Sequence, residues 1–225
     1  MAVLTLPVAF RQAISSEDAA RRAAARERVA DFAGRAAISA WFVVFAVRIG
    51  AEFVRTGHLT GLLLLVSELL VVVLTVVRRP AVLVDRAWMT RAIATASIVG
   101  IPLLRPVGVG IIPDAATAAI SGAGLLLIIA GKVALGRSFG LMPANRGIVC
   151  RGVYRLMRHP IYAGYLITHA AFLIAHPTAW NLVVLVTSDT ALLVRAVYEE
   201  RTLMQDPEYA SYMETVRWRV LPGVF

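Results

Sequence analysis

RHPIYAGYLITHAAFLIAHPTAWNLVVLVTSDTALLVRAVYEE, residues 158–200, decides the fold. Two apolar runs, read as helices over 160–176 and 178–197, meet at His176-Pro177 and form a tight hairpin. Proline suits a first helical turn, so Pro160 opens the first helix, and the N–H groups just beyond it are free to face an anionic or carbonyl group. A hairpin returns its second helix to the level where the first began. The hairpin would therefore bring His159 and Arg195–Glu199 to the same end, although some 40 residues separate them.

Working outward, further apolar runs fall at 35–55, 60–77, 90–111 and 115–135. A helix needs about 20 mostly apolar residues to cross the bilayer core. Hydrophobic residues make up 59% of the chain and charged residues 16%, against about 45–50% and 25% in soluble domains. These values point to an all-α polytopic membrane helix bundle of about five or six transmembrane helices, with a cytoplasmic C-terminal helix. The chain divides into an N-terminal cytoplasmic helical segment (1–34), N-terminal transmembrane helices (35–135) and a C-terminal region (136–225) that holds the long connection, the hairpin and the final helix. The opening MAVLTLPVAF lacks the basic region of a signal peptide, which leaves the first apolar helix as the insertion signal. The lone Cys150 excludes an intrachain disulfide framework.

The formal charge of +9 raises the question of nucleic acid. The arginines lie between apolar spans without interleaved aromatic stacking platforms, so a nucleic-acid partner is not expected. Their distribution follows the positive-inside rule. Arg11, Arg21, Arg22, Arg26, Arg28 and Arg35 precede the first span, and Arg78, Arg79, Arg86 and Arg91 follow the second. Lys132, Arg137, Arg146, Arg151, Arg155 and Arg158 surround the fourth-to-fifth connection, and Arg201, Arg217 and Arg219 lie in the tail. The opposite connections hold Arg55 and Arg105. This alternation predicts six crossings of the cytoplasmic or inner membrane, with both termini and the site on the cytoplasmic side.

Residues 15–33 read as an Ala-rich helix with a capping-box-like start at Ser15 and Asp18. At the other end, a helix after the last span is predicted to break near Pro207, and Tyr209, Tyr212, Met213 and Val216 form its apolar stripe. GVGIIP (108–113) and GAGLLL (122–127) lack the third glycine of a dinucleotide fingerprint and follow no βαβ strand, so a soluble Rossmann enzyme is unsupported. No His/Cys cluster has metal-ligand spacing and no G-x-S-x-G occurs.

The chemistry that remains lies on the basic side. The connection 136–160 is long and carries Gly136, Gly140, Gly147 and Gly152, where backbone can closely approach a bound molecule. Arg195 and Glu199 are i, i+4 and share a helix face, while Glu200 is rotated by about 100°. An ionisable residue next to a membrane segment is costly against lipid and marks a candidate site. Arg48 and Glu52 read as a mutually satisfied pair, Glu68 and Asp189 as structural, His58, His169 and His176 as interfacial, and Cys150 as inert.

The ordered set GVYRLMRHPIYAG (152–164), RAVYEERTL (195–203), PEYASY (207–212) and RVLPG (219–223) resembles the isoprenylcysteine carboxyl methyltransferase family of integral membrane enzymes, which is related to the phospholipid methyltransferases. The resemblance implies a cytoplasm-facing S-adenosylmethionine site contacted by Arg146, Gly147, Ile148, Val149, Tyr154, His159, Pro160, Ile161, Tyr162 and Glu199. Gly164 would be the close-packing glycine of that wall and Arg195 the substrate-facing arginine. Arg195 suits a carboxylate acceptor, and Glu200 becomes a candidate base if the acceptor is an amine. The expected acceptor is a lipophilic or lipidated molecule, such as a prenyl-cysteine-like carboxylate. An NADPH-dependent reductase of sterol-like or polyprenyl alkenes, and a non-enzymatic transport or assembly protein, remain as alternatives.

Overall fold

The computed structural model describes residues 21, 22, 25, 26, 29, 31–37, 39–44, 46, 47, 50, 51, 54, 55, 59–84, 87–100, 103–105, 107–140 and 144–224. The expected cap at Ser15 and Asp18, the Arg48–Glu52 pair and His58 lie outside the described residues. The described residues between 21 and 55 are helical. Among the described residues, six α-helices follow: α1 (Leu59–Val77), α2 (Trp88–Val99), α3 (Asp114–Leu135), α4 (Pro160–Ala175), α5 (Ala179–Leu203) and α6 (Pro207–Thr215). A two-residue strand, β1 (Leu83–Val84), pairs antiparallel with β2 (Ala144–Asn145).

The hairpin is α4 and α5. Pro160 occupies the first turn of α4, and Thr178 caps α5 by accepting from the Asn181 N–H at 3.1 Å. Asn181 is fully buried and fastens the turn to the chain before α3. Its Nδ2 donates to the carbonyls of Arg105 (2.8 Å) and His176 (2.9 Å), and its Oδ1 accepts from the Arg105 N–H (3.0 Å). α5 runs to Leu203, beyond the 197 read from the sequence, because its last turns rest on the C-terminal segment instead of lipid.

α3 lies against α4 with little side-chain volume between them. A Cβ on Gly164 would sit 2.5 Å from Ile128 Cγ1 and 2.7 Å from the Gly124 carbonyl. A Cβ on Gly131 would sit 2.6 Å from Ile161 Cγ1. Such small-residue contacts are how helices approach closely where lipid replaces water. α2 packs on α5, and α1 packs on α3.

Among the described residues, two helical segments, Asp114–Ser138 and Ala179–Leu203, are long and apolar enough to cross a membrane, while Leu65–Val77 and Pro160–Ala175 are apolar but shorter. Leu126 and Val133 of α3, and Leu182, Val183 and Val186 of α5, expose their side chains as a lipid-facing surface would. The sequence predicts a span to 111, but α2 ends at Val99. Pro102, Pro106 and Pro113 supply no amide hydrogen to continue a helix, and the Ile111 N–H is instead bonded to Ile174 O at 3.0 Å.

Lys132 is not a cation of the connecting loop. It lies in α3, fully buried, and its Nζ donates to Ser67 O (2.9 Å) and Ser67 Oγ (2.8 Å) of α1. Glu68, also buried, lies close enough to act electrostatically on it. Asp189 likewise has a partner, His169 Nδ1 at 2.6 Å, which joins α5 to α4 along the hairpin.

Candidate active site

The end of the hairpin is assembled by three chain segments. α4 begins after Arg158 and His159, whose amides donate to Trp218 O (2.9 Å) and Arg219 O (2.7 Å). The extended C-terminal segment is thereby laid beside the start of α4. From α5, Glu199 and Glu200 reach the same place on different faces, because successive helical residues are rotated by about 100°.

Glu200 binds the segments together. Its Oε1 lies 3.1 Å from His159 Nε2 and 3.1 Å from Arg158 Nε, and its Oε2 accepts from Arg219 Nε at 2.9 Å. The carboxylate side chain is 3% exposed. A carboxylate only accepts, so the His159 tautomer in this contact carries its proton on Nε2. Arg158 and Arg219, which the sequence reading treats as topological cations, are instead members of this ionic junction.

Glu199 points elsewhere. Its Oε2 accepts from the Tyr162 hydroxyl at 2.6 Å. The Tyr162 ring stacks on His159, with centroids 5.1 Å apart and planes 14° apart. The Arg195 guanidinium carbon lies 5.5 Å from the Tyr162 centroid, within cation–π range. Arg195 is buried and also reaches Ser97 Oγ of α2 at 3.5 Å. His159, Tyr162, Arg195 and Glu199 thus form one continuous wall, and Glu200 lies behind it.

The loop before α4 supplies an adjoining surface. Gly147 has φ +101°, a region in which other residues are strained, and its N–H donates to Asn145 Oδ1 at 2.9 Å. Asn145 Nδ2 donates to Asp206 Oδ2 at 2.7 Å, and Asp206 caps α6. Asn145 and Asp206 tie the loop to the C-terminal helix, a link with no sequence signal beyond the turn residues themselves. Ile148 packs against Tyr209, Tyr212 and Val216, and the neighbouring Val149 is half-buried. The Tyr212 hydroxyl donates to Tyr154 O at 2.6 Å. The apolar stripe expected on the C-terminal helix therefore faces this loop.

The electrostatics reflect that enclosure. Burial, with the Arg78 charge, lowers Arg146 to about 10, against the opposing pull of Asp31 and Glu199. Burial also raises Tyr154, with the Glu199 charge adding to it. Tyr209 is raised by burial and then by Glu200, and its hydroxyl is buried without a hydrogen-bond partner among the described residues.

The expected site residues separate into three groups. Tyr162, Arg195 and Glu199 converge with His159, which also holds Glu200. Arg146, Gly147, Ile148 and Val149 form the adjacent loop beside buried Tyr154. Pro160 shapes the first turn of α4, while Ile161 and Gly164 face α3 and set the helix spacing. Among the described residues, no group of three or more His, Cys, Asp or Glu is placed to hold a metal ion.

Comparison with known proteins converges on this region. Residues 118–209, spanning α3 to the start of α6, match the phospholipid methyltransferase family. The chain is also similar to protein-S-isoprenylcysteine O-methyltransferase A of Arabidopsis thaliana, at 45% identity over 21% of this chain and 30% of that protein. The match thus spans under a third of the plant relative's length. Within these limits the resemblance read from the ordered motifs is borne out.

Proposed function

We propose that the protein is an integral membrane S-adenosylmethionine-dependent methyltransferase acting on a lipophilic acceptor, first of all a prenyl-cysteine-like carboxylate. The carrying observation is Glu199, held by the Tyr162 hydroxyl at 2.6 Å next to the buried Arg195. A carboxylate beside a buried guanidinium offers opposite charges to two ligands at adjacent positions.

The donor set suits S-adenosylmethionine. Glu199 matches the ammonium of its methionyl part, the peptide groups around Gly147 can approach it closely, and the Tyr209 hydroxyl is a buried donor. When bound, S-adenosylmethionine would supply an electrophilic methyl group on a sulfonium sulfur. Tyr162 fixes the rotamer of Glu199, and the His159 ring supports Tyr162 from behind. Arg195 would hold an acceptor carboxylate through its planar fork. The buried walls keep water from the reacting groups, and holding two reactants in place supplies several kcal/mol of the barrier reduction.

A carboxylate acceptor needs no general base, which fits the placement of Glu200. Its oxygens are engaged by Arg158, His159 and Arg219, so its role in this reading is to position the wall. The division at 34 and 135 then separates an N-terminal scaffold from a catalytic region. The site faces the cytoplasm, both termini lie on that side, and a lipid tail enters sideways between helices.

Detergent-purified protein titrated calorimetrically with S-adenosylmethionine, S-adenosylhomocysteine and NADPH tests the cofactor. Both adenosyl ligands should bind and raise the melting temperature; binding of NADPH alone would overturn the reading. Membrane lipid extracts incubated with labelled donor would then identify the acceptor. An alkali-labile methyl ester is expected, and a stable N-methyl product would refute the carboxylate.

A further inference from the structure

Four arginines gather where α1 ends. Arg35 Nε binds Asp31 Oδ2 at 2.8 Å, and Arg78 binds Asp31 Oδ1. Arg35 also donates to Val76 O (3.3 Å), and Arg137 Nε donates to Val77 O (3.1 Å). The Arg79 N–H donates to Arg137 O at 2.8 Å, and its guanidinium reaches the Gly147 loop, 3.4 Å from where a Cβ on that glycine would lie. The α1 carbonyls engage one donor from each of Arg35 and Arg137, yet every guanidinium carries five. The Arg78 side chain is 9% exposed, and its Nε has no hydrogen-bond partner among the described residues.

Among the described residues, the Asp31 carboxylate faces this group, and it is itself 46% exposed. Like charges crowded into a partly dehydrated corner repel unless an anion joins them. Guanidinium forks match the geometry of phosphate oxygens. The neighbouring helix indicates the remainder of the ligand. Val66, Leu69, Val73, Val76 and Val77 are exposed on α1 at helical spacing, an apolar stripe that runs up to the arginines. A phosphate joined to acyl chains matches both halves of this surface.

We propose that Arg35, Arg78, Arg79 and Arg137 seat the phosphodiester headgroup of an anionic membrane lipid, whose chains lie along the α1 stripe. Asp31 is the internal anion that competes with it. The site shares no residue with the Glu199–Arg195 wall, and it adjoins the candidate cofactor loop at Gly147 and Arg146. Its test does not depend on the identity of the methyl acceptor.

Native mass spectrometry of the full chain, offered equal phosphatidylglycerol and phosphatidylcholine, reads the preference directly. The wild-type protein should retain phosphatidylglycerol at least tenfold better. Arg78→Gln with Arg79→Gln should abolish that preference, whereas Arg155→Gln with Arg217→Gln, exposed cations elsewhere, should leave it within twofold. Asp31→Asn should strengthen it. Equal losses in both arginine pairs would mean diffuse surface charge and overturn the site. Displacement of phosphatidylglycerol by low-millimolar inorganic phosphate would overturn the lipid as its source. S-adenosylhomocysteine affinity in neutral detergent should be unchanged in the Arg78/Arg79 variant; its loss would reassign the cluster to the cofactor and refute the proposal.

Discussion

The Tyr162 hydroxyl lies 2.6 Å from Glu199 Oε2, joining the first turn of α4 to the last turns of α5. This bond sets which way the Glu199 carboxylate points. Tyr162→Phe should therefore weaken S-adenosylhomocysteine binding, and Glu199→Gln should weaken it more. Hydrogen bonds to charged groups contribute about 1.5–3 kcal/mol, which corresponds to roughly tenfold to a hundredfold in Kd. Isothermal titration measures it, and unchanged affinity in Glu199→Gln would remove Glu199 from the cofactor site.

Arg195 predicts a different pattern. Arg195→Ala should lower turnover at least about a hundredfold, by loss of charge-assisted acceptor contacts, while S-adenosylhomocysteine affinity changes little. Initial rates with labelled donor, paired with calorimetry, separate the two. Equal loss of both would show that Arg195 serves the cofactor.

Glu200 is expected to reveal itself through stability. Removing one partner of a buried ionic cluster costs about 3–5 kcal/mol, so Glu200→Gln should lower the melting temperature markedly in detergent. It would leave Arg158 and Arg219 facing each other without their carboxylate. A variant of normal stability and no activity would instead make Glu200 a base.

Gly164→Ala should be destabilising although it adds only a methyl group. That methyl would lie 2.5 Å from Ile128 Cγ1 and 2.7 Å from the Gly124 carbonyl, and over-packing costs about 1–3 kcal/mol. Thermal unfolding of purified protein checks it, with Gly136→Ala, where nothing lies within 4 Å, as the comparison for open space. Because Gly136 has φ +49°, that comparison carries backbone strain alone.

Alkaline pH should destabilise the C-terminal region. Tyr154, Tyr209 and Tyr212 are all raised above the ordinary value of 10, first by burial. The folded state therefore holds these protons where the unfolded chain would release them. Their contribution is complete below pH 10 and falls as pH rises above it. Absorbance at 295 nm should show these three rings ionising only together with unfolding. Arg146, lowered to about 10, works in the opposite direction and softens the loss.

The hairpin was legible because its signals are local. Pro160, the apolar runs and His176-Pro177 dictate two antiparallel helices, and hairpin geometry alone carries His159 to the level of Glu199. The C-terminal stripe of Tyr209, Tyr212 and Val216 was legible for the same reason, as a helical period. The end of the third span is ambiguous in the sequence, because Gly-Pro punctuation over 100–113 interrupts an apolar run, and α2 stops at Val99.

Local pattern suffices for a mostly helical, apolar chain, for the hairpin, and for the residue types that meet at its end. Tertiary structure decided which partner each charge received. Adjacent Glu199 and Glu200 diverge because a helix turns about 100° per residue; one meets Tyr162, the other His159, Arg158 and Arg219. Lys132 looked like a loop cation and is buried on Ser67, 65 positions away. Such pairings are absent from any local pattern, because the cost of burying a charge is settled only when distant segments bring its counter-charge or acceptor.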